Sequence, residues 1–306
     1  MYSFMENGVQ NWLHQCSLPD GTELQEHTLK TERNMIIGDR CTIDYGLKGE
    51  DIIVCEFCTL NGSVIADGDV RIDNWCEING DVIVAEDAYL GEGVKVHGRL
   101  IVQGDLDIGD NVQIDRGFEA KGWISIRNPM PVIVYLLLYV MTLLKMEDQN
   151  EIEDALSELF GDEDEEDQNE KAPLLIPSGS HLDMKVFSVP AAMSIGDGCR
   201  LHGNIRANSV DVGNGTTIFG SLRAHGTIGI GPETKVHGNV EGEDEVMIAE
   251  QVRILGDVVA DSLVLHEEAR VDGVIRAPQG VRIDRKAENN GDESSENSGI
   301  GQPELC

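Results

Sequence analysis

Three stretches decide the fold: Leu60-Asn-Gly-Ser-Val-Ile-Ala66, Ile78-Asn-Gly-Asp-Val-Ile-Val84 and Val96-His-Gly-Arg-Leu-Ile-Val102. They begin 18 residues apart and share one pattern. An apolar residue is followed two positions on by Gly, then by apolar residues at the fifth and seventh places. Counting every sixth residue from Ile36 to Ala120, thirteen of fifteen are apolar, the exceptions being Thr42 and Lys48. Four places further along each hexad the series from Arg40 to Ile124 is again apolar in thirteen of fifteen, Arg40 and Gly46 excepted. A period of six fits neither an amphipathic helix nor an open meander. Two inward residues separated by one outward residue satisfy strand alternation. The third hexad position, as at Gly62, Gly80 and Gly98, reads as a corner that needs positive φ or solvent exposure.

Three hexads make one triangular coil of about 18 residues, and stacked coils form a solenoid. The pattern returns at Ile195, Leu201 and Ala207, takes a five-residue step to Val212, and continues to Ala260. A second five-residue step leads to Leu265 and Val271. The fold class is therefore all-β, a parallel β-helix in two blocks with a central apolar α-helical insertion. The expected organisation is a lead-in or N-terminal cap at 1–33 and a first block at 34–127. An apolar helix with an acidic disordered loop follows at 128–194, then a second block at 195–286 and a disordered acidic tail at 287–306. The terminal coils near Met35–Leu47 and Val271–Ile283 are expected to be the open ends, so Val281→Asp should block assembly.

Residues 130–146, MPVIVYLLLYVMTLLKM, are almost wholly apolar. Pro131 suits a helix start, and helical spacing continues through Ile152, Ala155, Leu156, Leu159 and Phe160. Three readings stand open: a helix packed on the solenoid, one lying in a membrane interface, and a span, for which seventeen residues is short. From Glu147 to Glu170 there are thirteen acids and no base.

The chain of 306 residues carries 56 acids against 23 Lys and Arg, a net charge of -33. Such a surface repels nucleic acid and anionic membranes, so no nucleic-acid partner is expected. It suits a salt-rich cytoplasm, where repulsion is screened. No secretory signal is seen in the first residues, and seven Cys without knottin-like spacing suit free thiols in a reducing cytoplasm. The expected location is cytoplasmic, with the inner face of the membrane open through the apolar segment.

No catalytic, cofactor-binding or metal-ligating residue is assigned. His97, His202, His225 and His237 precede Gly at one hexad position. His202 and His237 should share a face two coils apart, too far for one metal. Cys55 and Cys58 should diverge, one outward and one inward, whereas Cys58 and Cys76 should be buried neighbours. Phe57 and Trp75 should lie on the outside, and Asp51, Asp69, Asp87 and Asp105 should form a carboxylate ladder.

The stretches Ile78–Ala85, Val102–Gly109, Ile254–Ala260 and Ala207–Gly213 resemble bactofilin repeats. The resemblance covers the two blocks and leaves out the lead-in, the apolar helix and the acidic loop. It implies a right-handed β-helix and a polymer-forming cytoskeletal protein, not an enzyme, that assembles end to end without nucleotide, often at membranes. The homo-oligomer or filament would form by β-helix end contacts. Two blocks with an insertion depart from the usual single block. The alternative is a hexapeptide-repeat acyltransferase with a left-handed β-helix. Against it stand large residues at the fifth hexad position, where those enzymes carry small ones, and the two five-residue steps.

Overall fold

The computed structural model describes residues 15–25, 27–126, 132, 134–135 and 172–285. Their strands form three parallel-rich sheets, one of fourteen strands and two of twelve. Sheet 1 holds Met35–Ile37, Ile52–Val54 and Val70–Ile72. Sheet 2 holds Thr42–Ile43, Thr59–Leu60 and Glu77–Ile78, and sheet 3 holds Gly46–Gly49, Val64–Ala66 and Val82–Val84. The register advances by one coil: Val70 lies opposite Ala88, Ala88 opposite Leu106, and Leu106 opposite Ile124. Each coil thus stacks its inward aliphatic residues on those of the next. Val64, Val70, Ile78, Val82, Leu90 and Val96 are all fully buried in the main core. Complete burial of a side chain of this size contributes about 1.5–3 kcal/mol.

The two blocks share one stack, and they meet by their N-terminal ends. At the meeting point the chain exchanges segments between its halves. Cys16–Leu18 and Glu23–Leu24 pair in parallel with Met193–Ile195 and Arg200–His202 of the second half. The chain then turns, and Thr28–Lys30 pairs with Gly46–Gly49 of the first half. Leu174–Ile176 and His181–Leu182 do the converse, pairing with Met35–Ile37 and Thr42–Ile43 before Val186–Ser188 joins Asn204–Ala207. Both exchanged segments carry the same signature, Pro19-Asp-Gly-Thr-Glu-Leu24 and Pro177-Ser-Gly-Ser-His-Leu182, 158 residues apart. Ile37-Gly-Asp-Arg-Cys41 and Ile195-Gly-Asp-Gly-Cys199 keep the same offset. The chain is an internal duplication whose halves stack in opposite directions. Consistently, the first half visits sheets 1, 2 and 3 in turn, and the second visits 1, 3 and 2.

Three sequence expectations need correction. A five-residue step also occurs in the first half, because Met35 lies opposite Ile52, only 17 residues on. Met35, Ile37, Cys41, Ile43 and Leu47 are therefore the core residues there, and Ile36 points outward. Gly49, an inward glycine beside the step, hid it from a strict count. Next, the third-position glycines Gly62, Gly80 and Gly98 do not take positive φ, although Gly203 of the second half does. A Cβ on Gly80 would lie 2.5 Å from the Gly62 carbonyl carbon, so they allow close stacking of corners. Positive φ falls elsewhere, at Arg40, Phe57, Trp75, Gly93 and Asn111, and at Gly198, Gly215, Glu233 and Gln251. Finally, Met35–Leu47 is paired on both sides in mid-stack and is not an open end.

Of the apolar segment, Val132, Val134 and Tyr135 are described, with helical backbone. Val132 is buried and Tyr135 half-buried against Ile36, Ile53, Cys55 and Leu175 on the outside of sheet 1. The rest of the expected helix, the acidic loop 147–170 and the tail 287–306 lie outside the described residues.

Candidate assembly surfaces

Because the halves meet by their N-terminal ends, both outer ends of the stack are C-terminal coils. One end is closed by Gln113–Ile114, Phe118–Ala120 and Ile124–Ile126, the other by Arg270–Val271, Ile275–Arg276 and Val281–Asp284. Each of these strands has a neighbour on one side only among the described residues. Inward positions lose their cover at the ends. Ile124 and Ile126 are 48% and 81% exposed beside Phe118 and Trp123, and Val281 and Ile283 are 48% and 55% exposed beside Val274 and Ile275. Unpaired N–H and C=O groups over exposed aliphatic side chains make a template for another chain.

Side-chain ladders hold the coils between these ends. The Asp69 N–H donates to Asp51 Oδ1 at 2.9 Å, Asp87 N–H to Asp69 at 2.9 Å and Asp105 N–H to Asp87 at 2.7 Å. The expected carboxylate ladder is thus a hydrogen-bond relay in which each acid accepts from the next coil. Burial raises the Asp69 pKa, partly offset by the hydrogen bond from Asp87. In the second half Asn204, Ser221, Asn239 and Asp257 fill an equivalent relay at another corner.

The left-handed corner residues Phe57, Trp75, Gly215 and Glu233 are followed by small donors, whereas Gly93, Asn111 and Gln251 are followed by Val. Cys58 Sγ donates to Gly38 O at 3.0 Å, Cys76 Sγ to Cys55 O at 3.0 Å, and Thr216 and Thr234 Oγ1 to Gly196 O and Gly213 O at 2.9 and 2.8 Å. Cys58 and Cys76 are indeed buried neighbours, and their thiols serve this column; Cys55 lies in the outer apolar cluster instead. Six described cysteines are free and buried. Burial pushes the Cys199 thiol up to about 11, which leaves it unreactive at neutral pH. Phe57 and Trp75 are half exposed, Phe57 beneath the Arg40 guanidinium at 5.7 Å.

The histidines divide into two groups. His97 bridges Asp115 at 2.6 Å and Glu77 at 3.0 Å, and these carboxylates raise its pKa, Asp115 foremost. His225 lies 3.2 Å from Glu243. His202 and His237 share a face as expected, with Phe219 stacked between them at centroid distances of 4.4 and 4.7 Å. Among the described residues no group of three His, Cys, Asp or Glu is placed to hold a metal ion, and no helix is long and apolar enough to cross a membrane. The sequence reading missed the first-half end and the exchanged segments. The repeated Pro-x-Gly-Thr/Ser-x-Leu motif was the signal for the latter.

Residues 193–294 match the model of the bactofilin family, described as polymer-forming cytoskeletal. That match covers the second half with its open end. No curated protein and no solved structure gives a significant match to the chain.

Proposed function

We propose that this chain is a structural protein that polymerises end to end through the C-terminal coils of both halves, without nucleotide. The observation that carries this reading is the pair of open, apolar strand edges at Ile124–Ile126 and Val281–Asp284. A solenoid coil is stabilised by the coils above and below it, and a terminal coil lacks one of them. The family match on residues 193–294 supports the same reading. The sequence holds no phosphate-binding loop to couple assembly to hydrolysis. The protein acts in the cytoplasm, where its thiols stay reduced. The apolar segment 130–146, anchored on sheet 1 by Val132 and Tyr135, provides the contact with a membrane surface.

Electron microscopy of the purified protein at physiological salt tests this. Filaments without added nucleotide are expected, and a double variant Ile124→Asp with Val281→Asp should give none while keeping its strand circular dichroism. A wild-type protein that stays monomeric at high concentration would overturn the reading.

A further inference from the structure

The second half carries a row of cations along the outside of sheet 3. Arg200, Thr217, Lys235, Arg253 and Arg270 stand in register on successive strands, and the four basic residues are exposed. The His202–Phe219–His237 stack runs beside them. The duplication supplies an internal comparison. The equivalent row of the first half, on sheet 2, reads Thr42, Thr59, Glu77, Lys95 and Gln113. One half has thus gathered four cations where the other has one cation and one acid, in a chain of net charge -33. Two carboxylates bound the row. Asp272 lies 3.2 Å from Arg253 and 2.6 Å from Arg270, and Glu23 is opposite Arg200 in register. Lys235 has no ion pair among the described residues.

We propose that this row is the docking site of the chain's own C-terminal tail, residues 287–306. The tail carries Glu288, Asp292, Glu293, Glu296 and Glu304 and no base. It leaves the fold at the right place. In this half every coil passes from sheet 1 to sheet 3, so a chain that kept this order beyond Val281–Asp284 would run beside Arg270–Val271, the last strand of sheet 3. Between Ile283 and Ile300 the sequence has no large aliphatic residue with which to fill another coil. Its length also fits. Arg270 and Arg200 are four strand spacings apart, about 19 Å, and an extended segment from Glu288 to Glu296 covers about 27 Å. Running back over the row, the four tail carboxylates would meet Lys235 and share Arg200, Arg253 and Arg270 with Glu23 and Asp272. Exposed pairs are individually weak, so docking depends on the covalent link and on low screening. The inference stands apart from the assembly reading, since it concerns a face and not an end.

Zero-length carbodiimide cross-linking of the full chain tests it, because the reagent joins the Lys235 amine only to a carboxylate in contact. Peptide mapping should find Lys235 linked to Glu288, Asp292, Glu293 or Glu296 several-fold more often than Lys185. The yield should fall several-fold at 0.5 M salt. Arg200→Gln with Arg253→Gln should lower it similarly while circular dichroism is unchanged. Should that variant unfold, Asp292→Asn with Glu293→Gln leaves Glu288 and Glu296 to report and should lower the yield instead. Equal yields at Lys235 and Lys185, a yield indifferent to salt, or links only between copies in an isotope-mixed sample would each overturn the proposal.

Discussion

Ser17 lies opposite Leu175 in antiparallel register, and this pair is the one place among the described strands of sheet 1 where strand direction reverses. Every other neighbour in that sheet runs parallel. The reversal joins the two halves by their N-terminal ends and leaves both C-terminal coils facing outward.

The joint should be a major stability element. Leu24, fully buried, faces Leu29 across the turn of the first exchanged segment. Leu24→Ala should cost about 2–5 kcal/mol through lost burial and the cavity left behind. Urea unfolding of a variant that does not assemble measures it. A loss under 1 kcal/mol would mean that the exchanged segment contributes little.

Blocking one end should leave dimers. The two ends are related by the internal duplication, so like ends can pair about a twofold axis. Ile283→Asp alone should stop assembly at a dimer joined through the Ile124–Ile126 end, by analytical ultracentrifugation. Only monomers in that variant would confine the joint to unlike ends.

The aspartate relay needs an acceptor more than a charge. Asp69 Oδ1 receives the Asp87 N–H, and an amide oxygen can do the same. Asp69→Asn should therefore hold or raise the melting temperature at low salt, since it removes repulsion from Asp51 and Asp87. Asp69→Ala loses the acceptor and should cost about 1 kcal/mol. Molar salt should raise the melting temperature of the wild type more than that of the Asn variant. Equal salt responses would assign the effect to general surface charge.

His97 should make stability depend on pH. Its folded pKa is raised by Asp115 and Glu77, so the protonated form is favoured in the fold. The stabilisation is then fully present below the unfolded value near 6.5 and is lost as pH rises through the higher folded value. The advantage of wild type over His97→Gln should fade across that window. Asp115→Asn should lower the His97 pKa seen by NMR titration, and an unmoved pKa would sink this assignment.

Much of this was legible in the residues. The hexad spacing from Ile52 to Leu106 named the buried residues correctly, and the five-residue step after Ala207 appears as the 17-residue register of Met193 with Val210. The spacing of His202 and His237 placed them on one face, although Phe219 between them was not foreseen. The first-half step was hidden because Gly49 occupies an inward place without an apolar side chain. The roles of Cys58 and Cys76 were half legible: burial followed from their position, but donation to Gly38 and Cys55 carbonyls depends on how the corner turns.

The sequence by itself determined the solenoid, because inward and outward residues alternate along each strand and a coil must bury its aliphatic set whatever lies above it. It also marked corners at Gly62, Gly80 and Gly98, but the close stacking that requires glycine there came from the structure. Only the tertiary structure decided which coils are terminal. A coil offers the same backbone hydrogen bonds on both edges, so local pattern cannot say which partner fills each edge. Pairing of Ser17 with Leu175, 158 positions apart, and of Met35 with Leu174, 139 apart, put Met35–Leu47 in the middle and Ile124–Ile126 at an end.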